Sequence, residues 1–102
     1  SVWRLYLGAA AKHSALVPIY LNLKKIAHPK RLLILCHLSE GAKTVGTLEK
    51  ACGASQSSVS QFLTRMKSEG LLKSRREAGY TFYEIADKRI HTLIANVCKL
   101  FC

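Results

Sequence analysis

The run from residue 44 to residue 69 constrains this chain more than any other feature. Thr44 can cap a short helix in which Val45, Leu48 and Cys52 fall on one face. Gly53 supplies a turn. Ser55 then caps a second helix over residues 56–69, with Val59, Phe62, Leu63 and Met66 on its apolar face and Gly70 placed to end it. The opposite face carries Ser57, Ser60, Gln61, Thr64 and Ser68, small and polar with no acid among them. A short helix, a glycine turn and a second helix with that outer face form a helix-turn-helix.

The second helix of such a unit enters the major groove of duplex DNA, where short donors and acceptors reach base edges and phosphates. Ser57, Ser58, Ser60, Gln61 and Thr64 supply them, and Gln56 and Gln61 are long enough to pair bidentately with adenine. Free amides at the helix N-terminus favour a phosphate. Two short strands come next, Leu71–Arg76 and Tyr80–Ile85, joined by a turn at residues 77–79. They predict a wing over residues 71–85, from which Arg75, Arg76 and Tyr80 can reach phosphate or the minor groove. Arg65, Lys67 and Lys73 add to the charge facing the backbone. Phe82 and Tyr83 are read as packing residues.

Charge agrees with this layout. Lys and Arg number 16 against 6 acids in 102 residues, a net charge of +10. Charge alone fits either nucleic acid or an anionic membrane surface; the helix-turn-helix favours DNA. No apolar run approaches the roughly 20 residues that span a bilayer, and the layout of a signal peptide is missing. A cytoplasmic chain with its four cysteines as thiols is therefore expected. A Cys-x-x-Cys pair, a glycine-rich phosphate loop and a nucleophile elbow are all absent from the sequence. Enzymatic activity, a cofactor and membrane association are accordingly not expected.

Helical spacing elsewhere completes the plan. Val2, Leu5, Tyr6 and Ala9 share a face, so residues 1–15 are either an added helix or partly disordered. Pro18 is expected to kink or interrupt the helical stretch around it. Leu16, Ile19, Tyr20, Leu23, Ile26 and Ala27 continue a stripe, and Pro29 opens a central helix that runs to about Leu38. Asp87 can cap a last helix striped with Ile90, Leu93, Ile94, Val97 and Phe101. The predicted fold is mainly α with a small β-hairpin, a single winged helix-turn-helix domain over residues 1–102 in the order α-α-α-α-β-β-α, with the N-terminal stretch as the candidate extra helix.

Several runs together resemble the ArsR/SmtB repressors: Leu23-Lys24-Lys25-Ile26-Ala27-His28-Pro29-Lys30-Arg31-Leu32, then Val45-Gly46-Thr47-Leu48, then Ser55-Gln56-Ser57-Ser58-Val59-Ser60-Gln61, and Glu69-Gly70-Leu71-Leu72. The resemblance covers residues 16–102. It implies a homodimer built on the first and last helices (residues 1–27 and 87–102), and release from an inverted-repeat operator by an inducer. Phe62 departs from the pattern, since the family commonly has a polar residue there.

The resemblance also bears on the inducer. Metal-sensing members carry a cysteine pair where this chain has Thr44-Val45-Gly46-Thr47, or an acid-and-histidine set along the last helix, of which only Asp87 and His91 are present. Cys36, late in the central helix, and Cys102, at the end of the last, are similar to the pair of the persulfide-sensing, BigR/SqrR-like branch. That similarity implies a redox switch in which reactive sulfur species link Cys36 to Cys102, by a disulfide or a longer polysulfide, and free the DNA. Cys52 and Cys98 are read as packing thiols, with Cys98 also a candidate auxiliary thiol. The alternative is a metal-responsive repressor with a thiol-rich site of Cys36, His91, Cys98 and Cys102. His13, His28 and His37 are read as surface or structural.

Overall fold

The computed structural model describes residues 10–101, with side-chain surroundings from residue 16 onward. Most of the stretch over residues 2–12, and Cys102, lie outside the described residues. The elements are α1 (Ala10–Ile26), α2 (Pro29–Leu38), β1 (Lys43–Thr44), α3 (Val45–Cys52), α4 (Gln56–Ser68), β2 (Leu72–Glu77), β3 (Tyr80–Ile85) and α5 (Lys88–Phe101). This is the winged helix-turn-helix order expected from the sequence.

Local chemistry sets most of the boundaries. His28 is extended ahead of Pro29, and its Nδ1 accepts from the Lys30 amide at 3.1 Å, capping α2. Thr44 Oγ1 accepts from the Thr47 amide at 3.2 Å and starts α3. Gly53, at φ +60°, ends α3 in the left-handed conformation that lets the chain turn into α4. Asp87 Oδ1 accepts from the Arg89 amide at 2.8 Å and caps α5. The Arg89 hydrogen bonds hold the Asp87 carboxyl down at about 2.

Three local features differ from expectation. The helix α1 runs unbroken through Pro18, because a proline removes one amide donor while the turns on either side keep theirs. The two-residue strand β1 pairs with β3 (Lys43 with Tyr83, Thr44 with Phe82), giving a sheet in the order β1-β3-β2. Two residues are too short for any periodicity to announce them. The wing turn is also tighter than expected. Glu77 pairs with Tyr80, so only Ala78 and Gly79 lie between the strands. Their φ angles are +52° and +83°, the positive pair of a type I′ hairpin turn.

The core lies where the helix-turn-helix wraps α2. Leu35, Leu48, Leu63 and Met66 are wholly buried there, joined by Ile94 of α5. The outer helices are different. Of the described α1 side chains only Ile26 is buried, while Val17, Ile19, Tyr20 and Leu21 are half or more exposed. On α5, Leu100 and Phe101 stand free of the core. No helix among the described residues is long and apolar enough to cross a membrane.

Candidate DNA-binding surface and thiol pair

The helix α4 is seated by Val59, Leu63 and Met66, all buried, so its other face must point outward. Ser60, Gln61, Thr64, Arg65 and Ser68 line one open depression on that face. The Ser55 hydroxyl accepts from the Ser58 amide at 3.2 Å, and the exposed Gln56 and Ser57 form the first turn. The sequence-predicted set is therefore split. Gln56 and Ser57 stand at the helix N-terminus, and Ser60, Gln61, Thr64 and Arg65 run along the outer face. Ser58 turns instead into a groove with Lys30, Leu33, Cys52 and Phe62. Phe62 also packs against the His28 ring, at 5.4 Å between centroids.

Strand register separates the wing residues. Side chains alternate between faces along a strand. Leu72, Ser74 and Arg76 of β2 lie on the face that packs toward α4, and Lys67 of α4 donates to the Ser74 hydroxyl at 2.7 Å. Arg76 continues that face to the wing tip, where it donates to Thr81 at 3.3 Å. Lys73 and Arg75 lie on the opposite face. There Arg75 sits 5.3 Å over the Phe82 ring, between Glu77 at 3.3 Å and Glu84 at 3.4 Å. Tyr80, opposite Glu77 in the register, shares that second face and is exposed. Of the three wing residues, Arg76 shares the strand face that Lys67 of α4 contacts through Ser74, and Arg75 is already partnered by acids.

Sequence reasoning did not single out a junction behind α4. Arg31 donates from Nη1 to Glu69 Oε2 at 2.7 Å and from Nη2 to Glu69 Oε1 at 2.9 Å. Its Nη1 also donates to the Lys25 carbonyl at 3.0 Å. The hydrogen bonds from Arg31 hold the Glu69 carboxyl below its ordinary value, against the opposing effect of burial, and Arg65 and Lys25 add to the pull. Both residues stand in the runs that carry the family resemblance. Nothing in a sequence pairs two charges 38 positions apart.

The thiols are arranged differently from expectation. Cys36 of α2 is bonded to Cys98 of α5, with Cα atoms 6.2 Å apart, inside the range a disulfide spans. The inducer-formed link of Cys36 to Cys102 falls on a residue outside the described ones, and Cys98, read as a packing or auxiliary thiol, is instead the one bonded to Cys36. The reason lies in the helix stripe. Cys98 follows the buried Ile90 and Ile94 at intervals of four, so it faces α2 directly. The same stripe is visible in the sequence, but the residue of α2 that Cys98 meets is not. Cys52 is free and half-buried against the core, and burial pushes its thiol pKa up. That is the packing role expected of it.

A second contact ties the same two helices. His91 Nε2 lies 3.0 Å from the Ser39 carbonyl, and the Ser39 hydroxyl donates to the Cys36 carbonyl at 2.6 Å. Among the described residues no three His, Cys, Asp or Glu side chains gather to hold a metal ion.

Comparison with known proteins places this geometry among regulators. A family model described as "Bacterial regulatory protein, arsR family" matches residues 28–74. The chain is 40% identical over 97 residues to the HTH-type transcriptional regulator YgaV of Escherichia coli K12, covering 94% of this chain and 93% of that protein. It superposes with a TM-score of 0.78 on the transcriptional repressor BigR of Xylella fastidiosa, at 30% identity over 88% of this chain and 92% of that one. A Mycobacterium bovis protein described as a homodimeric winged helix-turn-helix DNA-binding domain is similar with a TM-score of 0.71, at 30% identity over 90% and 85% of the two chains.

Proposed function

Because this chain belongs to the ArsR family of bacterial regulatory proteins, we propose that it is a cytoplasmic, homodimeric, sequence-specific DNA-binding repressor released by reactive sulfur species. Two copies meet through the exposed apolar faces of α1 and α5; the similar Mycobacterium bovis protein is described as homodimeric. The α4 helix of each copy reads one half of an inverted repeat, with half-sites about 34 Å apart. Gln56, Ser57, Ser60, Gln61 and Thr64 face the bases and nearby phosphates, with Ser58 at the edge of the contact. Arg65 and the wing residue Arg76 face the backbone, and Arg75 and Tyr80, on the other face of the wing, reach phosphate or the minor groove beyond its tip.

The observation that carries the switch is the link between α2 and α5 through Cys36 and Cys98. The helix α2 forms the floor of the reading unit, and α5 carries part of the dimer face. In the reduced protein the Cys36 thiolate attacks the sulfane sulfur of a persulfide R–S–SH, releasing R–S⁻ and leaving Cys36–S–SH. The Cys98 thiolate then attacks the Cys36 sulfur, closing the disulfide and expelling HS⁻. The two electrons lost by the cysteine pair reduce the sulfane sulfur to sulfide. Cys102, four residues beyond Cys98 in the sequence, is the alternative resolving thiol suggested by the family resemblance. A bridge that retains extra sulfur spans farther than a direct disulfide.

Linking the helices holds the two recognition helices away from the operator spacing. A coupling of about 1–3 kcal/mol lowers affinity about 5–150-fold. The test is intact-protein mass spectrometry after treatment with glutathione persulfide, hydrogen peroxide or zinc, with DNA binding measured on the same samples. Persulfide is expected to join the Cys36 peptide to an α5 peptide and release DNA. Cys36→Ser should abolish both effects, and Cys98→Ser and Cys102→Ser identify the resolving thiol. Release by zinc alone, with no link formed, overturns the sulfur switch in favour of a metal-responsive repressor.

A further inference from the structure

We propose that Arg31 and Glu69 form a positioning pair that sets the recognition helix against α1, and so fixes the spacing at which the dimer reads its operator; this rests on the repressor reading above. Glu69 is placed where neither helix stability nor DNA attraction favours it. It is the C-cap of α4, at the end of a helix where carbonyls leave partial negative charge and a cation is the favourable neighbour. It is also an acid directly behind the DNA-facing helix of a chain with net charge +10.

Its pairing accounts for its presence. Arg31 grips both carboxylate oxygens in a fork, and the two side chains are only 12% and 25% exposed. The same guanidinium binds the Lys25 carbonyl in the last turn of α1. One side chain thus ties together the end of α1, the start of α2 and the end of α4. Since α1 buries only Ile26 among its described side chains, few other contacts hold it at this corner. In a dimer joined through α1, a change of angle here is carried to the distance between the two recognition helices. An operator with fixed half-site spacing registers that change, and sequence-independent phosphate contact does not.

The test turns on a sign. Glu69→Gln removes a negative charge, so electrostatics alone would tighten binding to every DNA. A positioning role predicts the reverse for the operator. The reduced full-length protein is titrated with an inverted-repeat duplex selected from random DNA by the wild type, and with a scrambled duplex of the same composition. Glu69→Gln is expected to weaken operator binding about tenfold while the scrambled duplex binds as well or better. Arg31→Gln should lose more, because it leaves Glu69 unpaired, and Arg31→Gln/Glu69→Gln should recover part of that loss. Arg31→Lys keeps the charge without the fork, and serves as the variant least prone to misfolding; an intermediate loss is expected.

A merely structural pair would lower the melting temperature and leave the ratio of operator to scrambled affinity unchanged in all four variants. That result overturns the inference while leaving the repressor reading intact. A wild type that selects no duplex and does not discriminate overturns both.

Discussion

The reading unit and the outer helices of this molecule are built on opposite terms. Around α2, α3 and α4, Leu35, Leu48, Leu63 and Met66 are wholly buried by their own chain. Along α1, apolar residues of the same kind, among them Val17, Ile19, Tyr20 and Leu21, remain in water. A helix normally gains most of its stability from packing its apolar face. The difference teaches that one copy completes the helix-turn-helix core by itself, while α1 keeps an apolar face in water, the face at which the proposed second copy would dock.

The largest effect should come from the finished core. Leu63→Ala removes a wholly buried side chain from the face that seats α4, and should cost about 3–5 kcal/mol in denaturant unfolding. A cost near 1 kcal/mol would mean that the reading unit is no better packed than α1, and would break the comparison. Next is Tyr20→Asp on the exposed face of α1. It should weaken dimerisation about a hundredfold in sedimentation equilibrium while the circular dichroism of the domain is kept, since a buried unpaired charge is costly. A dimer of unchanged affinity would place the interface elsewhere.

A smaller effect is expected where the two regions meet. Glu69 has its pKa lowered from the ordinary 4.5, chiefly by its hydrogen bonds to Arg31. Its stabilising contribution is full above that value and is lost as pH falls through the lowered one. The stability of the wild type should therefore fall with acid over that window more steeply than that of Glu69→Gln. Equal acid sensitivity in the two proteins would detach this ion pair from the stability of the junction.

The smallest effect is at the wing tip. Ala78 holds a φ of +52°, which asparagine tolerates better in this turn. Ala78→Asn should raise stability by about 0.5 kcal/mol and leave the dimer constant unchanged. A shift in dimerisation would couple the wing to α1 and blur the division between the regions.

What the sequence determined by itself was local. The caps at Thr44, Ser55 and Asp87, the turn at Gly53 and the stripe Val59-Leu63-Met66 each depend on residues within a few positions of one another. They therefore fixed the helix-turn-helix, the face of α4 turned outward and the place of the wing. The proline in α1 shows the limit of such rules, because a helix with enough turns on both sides tolerates a break that a local rule reads as a stop.

What only the tertiary structure decided depends on distant segments meeting. Cys98 meets Cys36 because the seating of Ile90 and Ile94 fixes how α5 is rotated on α2. Arg75 and Arg76, adjacent in sequence, fall on opposite faces once the strand register is set. Arg31 and Glu69 meet because α4 ends beside the corner between α1 and α2. In each case the residue types were visible from the start, but their pairing comes from how helices and strands pack, and packing is a property of the whole chain at once.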